Sequence, residues 1–160
     1  MTPSGASLRV TRFDGRRTGD AKTTAALEQC HALRFAVFVE EQHVPARLEW
    51  DGLDEEAEHF LVHDANTRPP RPLGTARFRV VAGVGKAERV AVLETARGRG
   101  LGRRLMDAIA ARARELGLST IRLNAQVAVI PFYERLGYRA EGDVFVEAGI
   151  DHRAMTRSLS

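Results

Sequence analysis

The sequence predicts a single α+β domain built on a mixed, mostly antiparallel sheet, and three observations predict it. Apolar periodicity gives the order strand, helices, three strands, helix, strand, helix, two strands, without strict βαβ repetition. The middle and final strands are joined by links short enough for hairpins rather than crossovers. A chain of 160 residues that is 44% hydrophobic suits one core.

Taken in order, Leu8 to Phe13 alternates apolar and polar residues as a strand does, and Asp14-Gly15 opens a turn. Leu27, Cys30, Leu33, Arg34, Val37 and Phe38 recur near a 3.6-residue period, which predicts one helix over Thr23 to Val39. His59 to His63 and Leu73 to Val81 are strands joined through the Pro-rich turn Arg68 to Pro72. Ala82 to Gly85 links to a strand over Glu88 to Leu93. Leu101, Leu105, Ile109 and Leu116 mark a helix that Gly117 stops. Thr120 to Leu123 is a strand and Pro131 to Leu136 a short helix with Pro at its start. Phe145 to Glu147, a turn at Gly149, and Arg153 to Leu159 close the chain as a hairpin. The domain is expected to fill residues 1–160, with 1–7 flexible.

No apolar run approaches the ~20 residues that span a bilayer, and Met1 to Ser7 lacks the apolar stretch of a secretory signal. Both point to the cytoplasm and away from membranes. The single Cys30 has no internal disulfide partner and sits at a core position of a helix, so a buried structural thiol is expected rather than an acyl-carrying nucleophile. Net charge is only +3, but it is unevenly spread. Eight acids lie between Glu40 and Glu58 against one base, Arg47, while Arg97, Arg99, Arg103 and Arg104 stand together without an acid. Two solvated faces, or a cleft for an anionic ligand beside a cationic one, both fit.

Arg97-Gly98-Arg99-Gly100-Leu101-Gly102 follows a predicted strand and opens a predicted helix. Glycines there let an anion approach the main chain, the helix start offers unpaired N–H donors and about half a positive charge, and arginines neutralise the remainder. No Gly-Lys-Ser/Thr ends the turn as a P-loop requires, and the segment is not a G-x-G-x-x-G. Aromatics are 6% of the chain and none interleaves with the arginines, which argues against nucleic acid. His59 and His63 share a strand face but lie ~13 Å apart at ~3.3 Å per residue, too far to hold one metal ion.

Val90-Ala91-Val92, four residues, then Arg97-x-x-Gly100-x-Gly102 resembles the coenzyme A signature of the GNAT superfamily of N-acyltransferases. Phe132-Tyr133-Glu134-Arg135-Leu136-Gly137-Tyr138 is similar to that superfamily's second motif. Val37 to Gln42, Glu49 to Asp54, His59, Ala125-Gln126 and Gly149-Ile150-x-His152 further resemble its ElaA-type branch. The resemblance implies a GNAT-like fold, a central mixed sheet of six to seven strands with helices on both faces. It also implies an N-acetyltransferase that moves an acetyl group from acetyl-CoA, without a metal, to a primary amine of a small molecule or peptide. Backbone groups of Val90, Ala91 and Val92 would hold the pantetheine arm where a neighbouring strand splays away. Amides from Gly98 through Gly100, Leu101 and Gly102 to Arg103 would hold the diphosphate, helped by the side chains of Arg97, Arg99 and Arg103, and Phe132 would pack along the pantetheine.

An amine of pKa about 10 is mostly protonated at neutral pH, so attack on a thioester needs a base, and the departing thiolate benefits from a proton donor. Tyr133 is the candidate acid, in the matching family position. Glu41 and His59 are candidate bases, with Glu94 a third; in structural terms Glu41 could equally be solvated or paired with Arg34, and His59 a hydrogen-bonded strut. A non-catalytic acyl-CoA sensor and an acyl-homoserine-lactone-synthase-like enzyme are the alternatives, and a homodimer is left open.

Overall fold

The computed structural model describes residues 7–160. The strands are β1 (Leu8–Asp14), β2 (Glu58–Asp64), β3 (Arg71–Val81), β4 (Val84–Val92), β5 (Thr120–Gln126), β6 (Arg139–Glu147) and β7 (Ile150–Ser158). The α-helices are α1 (Ala21–Arg34), α2 (Ala46–Glu49), α3 (Leu101–Glu115) and α4 (Ile130–Arg135). One seven-stranded sheet runs β1-β2-β3-β4-β5-β7-β6, with every neighbouring pair antiparallel except β4 and β5. The expected strand number, mixed pairing and helices on both faces are all present. Residues 1–6 of the expected flexible start lie outside the described residues, whereas Ser7 is buried and its carbonyl accepts from the Ala65 amide at 2.7 Å.

β2 shows why the sheet carries two helical layers. Its Phe60 and Val62 join the core under α3, while the intervening Leu61 packs with Cys30 and Leu33 of α1, as the two-residue strand period requires. α3 buries Leu101, Leu105, Met106, Ile109, Ala110 and Ala113 along one stripe, so burial of these side chains, worth about 1.5–3 kcal/mol for each large one, anchors the helix start. α1 begins at Asp20, whose carboxylate accepts from the Lys22 amide and the Thr23 hydroxyl.

Three elements differ from expectation for identifiable reasons. The predicted helix to Val39 is α-helical only to Arg34 and continues as a π-helical segment, Phe35–Glu41, closed by the Gln42 amide on the Val37 carbonyl five residues back. The wider turn carries its carboxyl end toward the cleft, a placement common for π segments at functional sites. β4 begins at Val84 rather than Glu88, because Ala82 and Gly83 form a two-residue turn with positive φ and Gly85 continues the strand against Phe78. β6 begins at Arg139, far before Phe145; it is an exposed edge strand, so no buried face shows as alternation in its sequence.

The feature that shapes the site lies in β4. Two β4 residues, Arg89 and Val90, stand opposite the single Ala76 of β3, and Arg89 takes φ 53°. This bulge bends β4 away. β4 and β5 pair only at Gly85–Ile121 and Lys86–Arg122, and beyond Lys86 a wedge opens between two parallel strands.

Candidate active site

A cleft of about 1050 Å³ fills the wedge, walled by β4 from Lys86 to Val92, the start of α3, the end of β5, α4, and the Val37–Gln42 stretch. That exceeds most small-ligand sites, which hold ~300–1,000 Å³, and suits a long ligand together with a second reactant. Among the expected coenzyme residues, Val90, Ala91, Val92, Arg97, Gly98, Gly100, Leu101, Gly102, Arg103 and Phe132 all border it, as does Tyr133; Arg99 does not.

The α3 N-terminus leaves its first amides without protein acceptors. Gly100 precedes the helix with φ 76°, no side chain caps it, and Gly98 also takes positive φ. Among the described residues no protein acceptor is bonded by the amides from Gly98 to Arg103; the first helical bond runs from the Arg104 amide to the Gly100 carbonyl. A Cβ at Gly102 would lie 3.1 Å from the Phe132 ring, so glycine lets α4 close against α3. Arg135, one turn beyond Phe132, lines the same stretch and is a cation to which sequence reasoning gave no role.

The Arg97 side chain is used differently from expectation. Both its terminal nitrogens donate to Glu41 at 2.6 Å, and Nε and Nη2 donate to the Val92 carbonyl at 3.1 and 3.0 Å. It thus braces the π-helical segment against the end of β4 instead of facing a diphosphate, and it occupies one backbone group expected to meet pantetheine. Glu41 is committed to Arg97, not to Arg34, and that hydrogen bond lowers its pKa, which makes it a poorer base. Glu41→Gln is therefore expected to cost less than about 1 kcal/mol in stability, as exposed pairs do. It should lower turnover less than ~10-fold, whereas loss of a general base costs ~10²–10⁴-fold. A 100-fold loss in steady-state kinetics would return Glu41 to the candidate bases.

His59 is not brought to the cleft. It lies buried on the α1 side of β2, stacked on Phe13 at 5.2 Å, with Nε2 2.8 Å from the Asp54 carbonyl. Burial also lowers its pKa. It is a strut of the core, and Glu94 likewise stands outside the cleft on an exposed turn.

The acidic stretch divides: Glu40, Glu55 and Glu56 stay exposed, whereas Glu49, Asp51 and Asp54 turn to arginines of the protein itself. Arg34 pairs with Glu49 and, at 2.7 Å, with Asp54; Arg77 pairs with Glu88, with Asp51 at 2.7 Å and with Asp54 at 3.0 Å. Arg89 adds Glu49 at 3.1 Å and Asp51 at 3.2 Å. Burial would raise these acids, but Arg77 and the Leu53 amide hold Asp51 down at about 2, and His31 and Arg34 hold Asp54 lower still. The network neutralises three of the four carboxylates that line the cleft, Glu49, Asp51 and Glu88, and leaves Glu147.

Tyr133 stands at the cleft wall between Phe132 and Tyr138, with ring centroids 4.9 and 5.8 Å away. Its hydroxyl has no hydrogen-bond partner among the described residues, and burial raises its pKa, so it stays a protonated donor. Cys30 is fully buried, accepts from the Thr75 hydroxyl at 3.3 Å, and burial pushes its thiol up to about 11.

The sequence matches the acetyltransferase (GNAT) domain over residues 21–159, nearly the whole chain. The chain belongs to the GNAT acetyltransferase family. GNAT relatives span it closely: the uncharacterized N-acetyltransferase YjcF of Bacillus subtilis (strain 168) is 40% identical over 138 residues, 86% of this chain and 96% of that one. An acyl-CoA N-acyltransferase from Pseudomonas aeruginosa superposes with TM-score 0.80 at 30% identity, covering 94% of this chain and 99% of that chain. Escherichia coli ElaA shares the fold, with TM-score 0.78 at 24% identity, covering 94% of this chain and 99% of that chain. The GNAT protein is thus an N-acetyltransferase.

Proposed function

We propose that the enzyme binds acetyl-CoA along the β4–β5 wedge and transfers its acetyl group directly to a primary amine of a small molecule or peptide. The observation that carries this reading is the uncapped start of α3 at the mouth of a wedge between parallel strands. Amides from Gly98 to Arg103 hold the diphosphate, Arg103 adds charge, and Phe132 flanks the pantetheine. The side of β4 left without a ladder beyond Lys86 receives the arm's amides. Direct transfer is supported by the state of the single cysteine, which is buried and too weakly acidic to carry an acyl group. A lone reduced thiol also suits the cytoplasm, where we place the reaction.

Tyr133 supplies the proton-donating hydroxyl for the departing sulfur. The attacking nitrogen sheds one proton to solvent through a base and a second to sulfur as the carbon–sulfur bond breaks, so the products are an amide, a thiol and one proton. Tyr133→Phe should lower kcat by about 100-fold or more and leave the Kd for coenzyme A within about twofold. Thiol release from acetyl-CoA across a panel of amines tests both points. Failure of every amine while coenzyme A still binds would remove the proposed acceptor class.

A further inference from the structure

The committed positions of Glu41 and His59 leave the proton from the acceptor ammonium without a destination, and the cleft wall offers one. His152 lies on β7 opposite Gln126 of β5, lines the cleft, and is 7% exposed. Its Nδ1 is 2.7 Å from the Ile150 carbonyl. A carbonyl only accepts, so Nδ1 carries the hydrogen and the neutral ring holds its lone pair on Nε2. Phe145 stacks on the ring at 5.9 Å and fixes its plane. Nε2 stands 3.7 Å from Glu147, too far for a hydrogen bond but within ion-pair distance. Glu147 is also the cleft carboxylate that the arginine network does not neutralise.

We infer that His152, backed by Glu147, is the general base that deprotonates the acceptor ammonium, an inference that rests on the acetyl-transfer reading above. The ammonium N–H bond breaks, its proton moves to Nε2 directly or through one water, and the nitrogen lone pair attacks the thioester carbon. The imidazolium then returns the proton to solvent. Gln126, held by its amide donating to Gln42 at 2.8 Å, faces the ring from β5 and carries no charge. Among the described residues Glu147 is the only ionisable group within ion-pair reach of the ring.

The test follows kcat/KM for an alkylamine from pH 7 to pH 10 in wild type and His152→Asn, with coenzyme A affinity measured alongside. Asparagine keeps an N–H for the Ile150 carbonyl and removes the base. The variant should lose at least about 100-fold at pH 7, and the deficit should close as pH approaches the amine's own pKa of about 10, where the nucleophile is already neutral. Glu147→Gln, at an exposed position, should show a smaller deficit, about tenfold, with the same closure. A pH-independent deficit in both variants, or none in either, overturns the role of His152 while leaving acetyl transfer standing. A wild type that turns over no amine overturns the acetyl-transfer reading and this inference with it.

Discussion

Replacing Gly100 with aspartate is expected to weaken coenzyme A binding at least about 100-fold while the fold survives. Aspartate tolerates positive φ better than most residues, and a Cβ at Gly100 meets nothing within 4 Å. Its carboxylate would accept from the first amides of α3, the usual work of an N-cap, and so occupy the donors assigned to the diphosphate. Losing two charge-assisted hydrogen bonds at about 1.5–3 kcal/mol each, with 1.4 kcal/mol per factor of ten, gives the 100-fold, and repulsion adds to it. Isothermal titration with coenzyme A reads the effect directly, and a thermal melt shows that the helix is intact.

Arg77→Ala should destabilise the enzyme by about 3–5 kcal/mol at neutral pH, because it leaves Asp51, Asp54 and Glu88 charged without their shared partner. Arg77 is 1% exposed, so solvent screens little of this. The pH dependence has a definite sign. The three carboxylates are more acidic folded than unfolded, so their contribution is full above the unfolded range near pH 4 and fades as pH falls toward about 2, the folded value of Asp51. Without Arg77 the part of that contribution which it supplies is lost, so the gap between wild type and variant, read from urea midpoints, should be largest at neutral pH and narrow below about pH 4. A gap that is constant from pH 7 to pH 3 would mean the arginine acts through packing alone.

These consequences separate what is visible in one dimension from what is not. The α3 stripe, the glycines at its start and the turn of the closing hairpin at Gly149 are local patterns found where their residues predict them, whereas the exposed start of β6 left no such pattern. The bulge at Arg89 and Val90 has no local signature, because it arises from register against Ala76 on another strand. Ion-pair choice is equally non-local: Glu41 finds Arg97 across 56 residues, and Asp51 finds Arg77 across 26. The acidic run therefore looked like one surface although Glu49, Asp51 and Asp54 turn to buried arginines. His152 carried a weak sign, a histidine within a matched motif, but its role depends on the Ile150 carbonyl, Phe145 and Glu147 meeting around the ring.

Acetyl-CoA binding as proposed depends on the α3 amides as an anion cradle, and a crystal structure of the acetyl-CoA complex tests this most directly. The diphosphate oxygens should lie about 2.7–2.9 Å from amides between Gly98 and Arg103. A diphosphate bound elsewhere, with those amides turned to solvent, would contradict it.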